Sequence, residues 1–269
     1  SMKPNHGHMS LYGFNRCTMS LLVCSISLLS GCKPPLPDTV RSGLVYCSEG
    51  SPETFNPQLV TSGTTIDAIS QQLYDRLLEI DADTGELVPA LAKSWQVSAD
   101  GKTHLFTLRD DVQFHQTEYF SPSRPLQAED VVFTFNRIMP EDSGYAYRSQ
   151  IETIESVVAE DDLTVVFNLK TVTGPFEIYM AFPGSSIVPK DLVESGHDLN
   201  AEPVGSGPFK FVSYTPRDSI KFVKNEAYYE SGKPYFDEMT YRIVADPTAL
   251  ANGMKSGVQP WIKWGFHEG

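Results

Sequence analysis

The sequence predicts an α+β fold, in which strands and helices follow one another without regular alternation. Runs with a strand pattern and runs with a helical pattern are mixed irregularly along the 269 residues, which disfavours a doubly wound parallel sheet. Hydrophobic residues make up 41% and aromatic residues 11% of the chain, which is enough to bury a substantial core. We expect one large domain or two smaller ones.

The N-terminal part is predicted to be an export signal, so residues 1–31 are excluded from the fold. Residues 17–29 are uncharged and mostly apolar, follow Arg16, and are too few to span a bilayer. The run ends in a Leu-Ser-Gly-Cys motif that resembles the lipobox of bacterial lipoproteins, which predicts lipidation of Cys32. An ordinary cleaved signal is the alternative. The proline-rich residues 32–43 form a stiff tether in this interpretation.

Strand patterns account for much of the remaining chain. Residues 44–47 form an apolar run typical of a buried strand, and Asp83-Thr84-Gly85 is a turn motif. Alternating patterns on either side of Asp100-Gly101 and of Asp161-Asp162 predict two hairpins. Further strands are predicted over residues 209–214, 219–223 and 238–244.

Four helices are predicted from apolar periodicity and from the signals at their ends. The first keeps an apolar face from Ile66 to Leu77, and Thr64 with Asp67 resembles a capping box at its start. The second covers residues 128–138, and two others are predicted over residues 189–194 and 247–255.

The sequence contains no motif of nucleophilic, phosphate-binding or zinc-dependent catalysis. The Gly205-Ser206-Gly207 segment lacks the spacing of a dinucleotide fingerprint, so we interpret it as a tight turn. His104 and His115 are interpreted as structural histidines whose ring nitrogens are satisfied. We therefore predict no catalytic residue, no metal ligand and no cofactor, and we do not expect an enzyme. A secreted hydrolase is the competing class.

The net charge of −13 limits the partners that the protein can have. An acidic surface argues against nucleic acid and against charge-driven binding to anionic lipid. Beyond the signal region Cys47 is the only cysteine, so no disulfide can form within the folded part.

Seven blocks of sequence, in order, resemble the dipeptide- and oligopeptide-binding proteins of bacterial ABC importers. The first runs from the apolar strand through a Ser-Glu-Gly-Ser-Pro-Glu-Thr-Phe-Asn-Pro stretch, and the resemblance covers nearly all of residues 44–257. The seven blocks are residues 44–57, 73–77, 87–95, 100–103, 106–109, 128–135 and 203–209.

The resemblance implies a periplasmic binding protein-like II fold, of which the chain supplies the first lobe. It implies that residues 44–78 and 171–257 form the two parts of that lobe, that residues 79–170 form an inserted β-rich subdomain, and that the second lobe is missing. By the same resemblance, the loop of Thr61, Ser62, Gly63 and Thr64 lies near the peptide cleft. A simple helix cap is the equally weighted alternative for this loop.

The resemblance also implies function and compartment. The family captures peptides outside the cytoplasm and delivers them to a permease with ATPase subunits, so we expect a monomeric, membrane-anchored lipoprotein in the periplasm of a Gram-negative bacterium. Residues 74–81 and 120–125 are most similar to the Sap-type branch, which is associated with cationic antimicrobial peptides. A carrier of haem or another non-peptide solute, and a non-functional fragment, are the alternatives.

The resemblance stops after residue 257, and residues 258–269 form a divergent tail. Family members are nearly twice as long. Beyond the position equivalent to residue 257, their sequences continue with a cysteine that pairs with the equivalent of Cys47. We therefore expect a C-terminally truncated chain. Because a two-lobed receptor gains affinity by closing around its ligand, we expect one lobe to bind peptide weakly or not at all.

Overall fold

The computed structural model describes residues 43–246 together with residues 248, 249 and 252. Residues 1–31, Cys32 and residues 258–269 lie outside the described part, as does most of the helix predicted over residues 247–255. The predictions about export, lipidation and the C-terminal tail are therefore not tested by the structure.

The strands of the described part form two four-stranded sheets and one small hairpin. The first sheet has the order β1-β10-β9-β8, the second has the order β4-β5-β7-β6, and β2 pairs with β3. The strands are β1 (Gly43–Ser48), β2 (Leu78–Ile80), β3 (Leu87–Pro89), β4 (Ala92–Val97), β5 (Thr103–Leu108), β6 (Ile154–Asp161), β7 (Thr164–Leu169), β8 (Phe209–Thr215), β9 (Ser219–Lys224) and β10 (Glu238–Ile243).

The helices are short, with one exception. A three-residue α1 continues through a π-helical stretch, Ile66–Ser70, into α2, so that the whole segment is helical from Gly63 to Leu73. The α-helices are α1 (Gly63–Thr65), α2 (Gln71–Leu73), α3 (Ala128–Ile138), α4 (Arg148–Ile151) and α5 (Lys190–Glu194), and the 3-10 turns are Pro57–Leu59, Phe176–Ala181 and Pro183–Ser185.

The predicted mixed architecture is confirmed, including its hairpins. The turn before β5 uses Gly101 at φ +70°, and the turn before β3 uses Gly85 at φ +71°, a backbone conformation that glycine adopts without strain. In the first sheet β1 runs parallel to β10, while β8, β9 and β10 are joined antiparallel. All strands of the second sheet lie between residues 92 and 169, and the predicted subdomain boundaries at residues 79 and 170 remain a prediction.

The core includes one face of α3, which has the bounds that its periodicity predicts. Gln127 and Asp130 form a reciprocal capping box at its start, and Arg124 donates to Asp130 at 2.7 Å to hold the preceding loop against it. On the buried face, the Phe135 ring meets the Phe167 ring of β7 edge-on at 5.0 Å. This packing joins α3 to the second sheet.

The first predicted helix needs two corrections. Thr64 and Asp67 do not form its capping box, because Ser62 occupies the cap position and its Oγ accepts from the amide of Thr65 at 3.4 Å. The helix ends at Leu73 rather than at Leu77, which is buried in the extended chain that follows. Several neighbouring residues can cap a helix, so the local pattern leaves an uncertainty of one or two positions.

Candidate functional site

At one end of the first sheet, the parallel strands β1 and β10 end side by side. These strands are parallel and in register from Gly43 with Glu238 to Ser48 with Ile243, so their carboxyl ends lie side by side. The amide of Val244 extends the ladder by donating to the Ser48 carbonyl at 2.7 Å. Ligands of open sheets with parallel strands bind outside this end, so it is a candidate ligand site.

The loop that leaves β1 at this edge is held by short-range hydrogen bonds. The Ser48 hydroxyl donates to the Gly50 carbonyl at 3.1 Å and accepts from the Gly50 amide at 3.3 Å. Further on, Asn56 accepts from the Gln58 amide at 3.1 Å and caps the following 3-10 turn. Glu49 and Glu53 remain exposed in this loop, so it presents an ordered backbone and two acidic side chains to solvent.

The N-terminus of the α1 helix packs against the same loop. Thr65 Oγ1 accepts from the Glu53 amide at 2.9 Å and lies 2.9 Å from Ser62 Oγ. The Tyr241 hydroxyl of β10 donates to the Thr64 carbonyl at 3.2 Å. The helix start, the loop after β1 and the end of β10 therefore form one continuous surface.

The four residues predicted to face ligand lie on this surface. They differ in their exposure and in whether their polar groups already form hydrogen bonds within the protein. Ser62 uses its hydroxyl as the helix cap, and Thr61 donates to Glu53 Oε2 at 3.0 Å. Gly63 is exposed, and no atom lies within 4 Å of the position that a Cβ would take. Thr64 is half-buried. Their contact with a ligand remains a prediction.

A stacked pair of tyrosines, of which Tyr241 is buried and Tyr46 half-buried, lies between the helix and the first sheet. The Tyr46 and Tyr241 rings stack at 4.9 Å, and the Tyr46 hydroxyl donates to Asp67 Oδ2 at 3.4 Å. Burial raises the pKa of Tyr46 to about 12 and also raises the pKa of Asp67 above its usual value. The tyrosine therefore stays protonated and ties the helix to β1 and β10.

Cys47, predicted to be without a partner, is a free and half-buried cysteine in β1. Burial raises the pKa of its thiol to about 11, although the nearby Arg242 acts in the opposite direction. At neutral pH the thiol is protonated and therefore a poor nucleophile, which gives no support to a catalytic role.

The Gly205-Ser206-Gly207 turn is a close-packed junction, as the interpretation of a tight turn requires. A Cβ on Gly205 would lie 1.9 Å from the Leu73 carbonyl oxygen, so only glycine fits there. His115 Nε2 donates to the Gly207 carbonyl at 2.9 Å, and its Nδ1 accepts from the Gly205 amide at 3.3 Å. Burial lowers the pKa of His115 to about 4, so the ring is neutral and structural, as predicted.

Asp75 is a buried carboxyl group that the sequence analysis did not single out. Its Oδ2 accepts from Ser206 Oγ at 3.1 Å and its Oδ1 accepts from the Tyr228 hydroxyl at 3.3 Å. Burial raises the pKa of Asp75 to about 7, with Arg76 opposing this shift. Both donors lie more than 130 residues along the chain, so no local pattern could reveal the cluster.

A groove of about 440 Å³ lies beside this cluster, on the side of the first sheet that carries Leu44 and Tyr46. The groove does not include the predicted residues 61–64, so the cavity and the predicted site are different places. Its other walls come from the helix, the ends of β8 and β10, and the loop before β10. Its lining residues outside β1 include Asp67, Gln71, Gln72, Asp75, Glu79, Phe209, Tyr228, Glu230, Tyr235, Phe236 and Met239.

No group of three or more histidine, cysteine or acidic side chains in the described part of the chain is arranged to hold a metal ion. None of the helices described has the length and apolar character that a membrane crossing requires.

Comparison with known proteins identifies the class. Residues 86–263 match the family described as "Bacterial extracellular solute-binding proteins, family 5 Middle". The chain is 40% identical over 220 residues to the dipeptide-binding protein of Escherichia coli strain K12, a match that covers 76% of this chain and 41% of that protein. It is 34% identical to the peptide transport periplasmic protein SapA of Salmonella typhimurium, with coverage of 84% and 44%.

A solved structure agrees with these matches. The dipeptide-binding protein from Pseudoalteromonas sp. SM9913, in complex with Met-Leu, superposes with a TM-score of 0.75 at 34% identity. That match covers 80% of this chain and 46% of the other. The fold is thus that of a periplasmic solute-binding protein.

The chain belongs to the family 5 bacterial extracellular solute-binding proteins, as the sequence resemblance predicts. It spans less than half the length of the relatives described above. The relatives are transport proteins of the periplasm or binders of peptides, which agrees with the predicted class of function.

Proposed function

We propose that the chain is the solute-capturing component of a bacterial ABC importer and that its solute is a peptide. The observation that carries this proposal is the 40% identity to a dipeptide-binding protein, which extends over most of the chain. A protein that binds its solute and catalyses no reaction needs no catalytic residues, which agrees with the absence of a catalytic motif in the sequence. A permease and ATPase subunits are the partners that such a role requires.

The surface at the ends of β1 and β10 is the proposed peptide-binding surface. Peptides bound in an extended form are held mainly through backbone hydrogen bonds. The protein must therefore offer backbone groups in a fixed position, with open space beside them for the peptide. Gly63 provides such a space at the helix start, and Glu49 and Glu53 provide negative charge for a peptide amino group or a basic side chain. Similarity to SapA supports the Sap-type branch as the narrower proposal.

The proposed setting is the periplasm, with the protein tethered through a lipid on Cys32 and acting as a monomer. The periplasmic setting is supported by the relatives, of which SapA is described as a periplasmic protein. Mass spectrometry of the membrane fraction tests the anchor, because a lipidated Cys32 would carry acyl chains that an ordinary cleaved signal would not leave.

Titration of isotope-labelled protein with the dipeptide Met-Leu, followed by amide chemical shifts, tests the function. We expect millimolar peptide to shift the amides of residues 49–51, Glu53 and residues 61–64, and to leave those of β6 unchanged. A cationic dipeptide such as Lys-Lys should shift the same amides if the acidic loop contributes. Shifts confined to other regions, or no shifts at all, would argue against the proposal, and haemin binding seen by visible absorption would favour the competing carrier.

A further inference from the structure

The loop between β9 and β10, residues 225–237, packs at its base on the tight turn before β8. Asn225 is buried, and its amide donates to the Pro208 carbonyl at 2.8 Å. Its side-chain Nδ2 donates to the Gly207 carbonyl at 3.0 Å. The tip of the loop is exposed, and Tyr235 is 82% accessible to solvent. The base of the loop therefore rests on the tight turn, while its tip extends into solvent.

Two tyrosines hold the middle of this loop against the molecule. The Tyr228 hydroxyl donates to Asp75 Oδ1 at 3.3 Å. The Tyr229 ring lies 4.6 Å from the ring of Tyr228, and the guanidinium carbon of Arg109 lies 4.5 Å from the Tyr229 ring centre. The hydrogen bond from Tyr228 therefore ties the middle of the loop to a carboxyl group in the interior.

Asp75, the acceptor of this hydrogen bond, is paired with hydroxyl groups rather than with a cation. Only 1% of its surface is exposed, and its carboxyl partners in the described part of the chain are Ser206 Oγ at 3.1 Å and the Tyr228 hydroxyl. The guanidinium of the adjacent Arg76 donates through Nη1 to the Ser70 carbonyl at 3.1 Å. Burying an ionised carboxyl group is strongly unfavourable unless a cation or several hydrogen bonds compensate for the lost hydration. This arrangement therefore favours the protonated form.

The titratable groups around Asp75 leave this preference in place. Burial raises the pKa of Asp75 to about 7, while Arg76 lowers it and Glu79 raises it further. His115, on the tight turn, has its pKa lowered to about 4 by burial and is neutral above that pH. Both tyrosines stay protonated, because burial raises their pKa values. The groups that face Asp75 from its own segment, from the loop and across the groove are Arg76, Glu79, Tyr228, Tyr229, Glu230, Lys233 and Asp67.

The loop also forms one wall of the groove beside Asp75. Asp75, Tyr228, Pro234 and Tyr235 all line this space of about 440 Å³. Movement of the loop away from Asp75 would let water from the groove reach the carboxyl group, and hydration stabilises its ionised form. The position of the loop and the protonation of Asp75 are therefore linked.

We propose that residues 225–237 form a flap that lies closed over Asp75 while this carboxyl group is protonated and opens when it ionises. In the open state the carboxyl group is hydrated, and its pKa takes the ordinary value of about 3.9. The contribution of Asp75 to closure is therefore complete below about pH 4 and is lost as pH rises to about 7. The proposal does not depend on the proposed function or on which solute is bound.

Hydrogen exchange of the full chain at several pH values tests the flap. The amides of Asn225 and Tyr228 form hydrogen bonds in the closed loop, to the Pro208 and Asn225 carbonyls. After correction for the intrinsic effect of pH on exchange, their protection factors should fall at least about tenfold between pH 5 and pH 7. Low concentrations of urea should leave these values unchanged, because local opening exposes little surface, but should accelerate exchange in β7.

Three variants locate the origin of this pH dependence. Asp75→Asn cannot ionise but can still bond to both hydroxyl groups, so the protection of its loop should not change between pH 5 and pH 7. Asp83→Asn, an exposed change in the turn after β2, should retain the fall of about tenfold. Tyr228→Phe keeps the ring but removes its hydrogen bond, and it should lower protection of the loop about fivefold at pH 5.

Four results would overturn the proposal. Protection of the loop in the unaltered chain could be independent of pH, or the same fall could occur in Asp75→Asn. The loop amides could share the urea dependence of β7, which would mean that the loop opens only when the whole chain unfolds. Protection in Tyr228→Phe could equal that of the unaltered chain, and this comparison remains available if Asp75→Asn does not fold.

Discussion

Ser62 shows how a hydroxyl group near a predicted site can have a structural task. Its Oγ accepts from the Thr65 amide and meets the Thr65 hydroxyl, which in turn holds the amide of Glu53. The residue therefore joins the helix start to the loop after β1. Thr61, one position earlier, is exposed and contacts only Glu53 among the described hydrogen bonds.

Replacement of Ser62 tests this role. We expect Ser62→Ala to lower the free energy of unfolding by about 1 kcal/mol, the usual effect of removing a helix cap. Thr61→Ala, an exposed change next to it, should stay within about 0.5 kcal/mol. Urea unfolding measures both values. Equal effects of the two substitutions would show that Ser62 is not the cap.

Asp75 makes stability depend on pH through its buried carboxyl group. Its folded pKa, raised to about 7 by burial, exceeds its value in the unfolded chain, so the folded state binds the proton more tightly. The stability contributed by protonated Asp75 is complete below about pH 4 and is lost as pH rises towards about 7.

Asp75→Asn removes the titration while keeping a neutral side chain of similar shape. We expect the free energy of unfolding of the variant, relative to the unaltered protein, to rise steadily between pH 4 and about pH 7. Urea unfolding at several pH values measures this difference, with the exposed Asp83→Asn as the control. A difference that does not change with pH would contradict the role given to Asp75.

At the scale of elements, the turn between α5 and β8 packs closely against the end of the first helical segment. Gly205 lies against the backbone of Leu73 and the ring of Tyr74, and Gly207 lies against the backbone of Leu73 and Tyr74. His115 and Asp75 then fix the turn from two sides. The junction therefore connects the helix, the turn and the loop before β10.

A matched pair of glycine substitutions tests the junction. We expect Gly205→Ala to destabilise the protein by about 2–3 kcal/mol, because the added methyl group would collide with backbone that cannot move freely. Gly63→Ala, at a helix start with open space, should be neutral or stabilise by up to about 1 kcal/mol. Thermal unfolding compares the two. A tolerated Gly205→Ala would show that the turn is not close-packed.

The same elements show what the sequence could predict. The bounds of α3 follow from local information, since its apolar face and its capping box are both written within residues 127–138. The first helix was predicted to continue to Leu77, but the π-helical stretch Ile66–Ser70 changes the phase of its faces and the helix ends at Leu73. Periodicity based on 3.6 residues per turn cannot detect such a change.

Only part of the candidate site could be predicted from the sequence, because the rest depends on contacts that local patterns do not record. Residues 61–64 could be placed near a cleft through the family resemblance, and the structure puts them beside the ends of β1 and β10. Asp75 and the groove beside β1 depend on contacts between segments far apart in the chain. Such contacts leave no local signal, so they became visible only in the folded chain.

At the scale of the whole molecule, the chain has the fold of a solute-binding protein but spans less than half of its relatives. Solute-binding proteins of this kind enclose their ligand by closing two lobes, which excludes water and strengthens each polar contact. A binding surface that is open to water on one side retains its hydrogen bonds to the ligand. It lacks the additional strength that polar contacts have when water is excluded. We therefore expect residues 1–269, tested by themselves, to recognise peptide with low affinity.

Calorimetric titration of the isolated chain with a dipeptide measures this affinity. We expect a dissociation constant of about 1 mM or weaker, which corresponds to no more than about 4 kcal/mol of binding free energy. Saturable one-to-one binding by the isolated chain with a micromolar dissociation constant would contradict it.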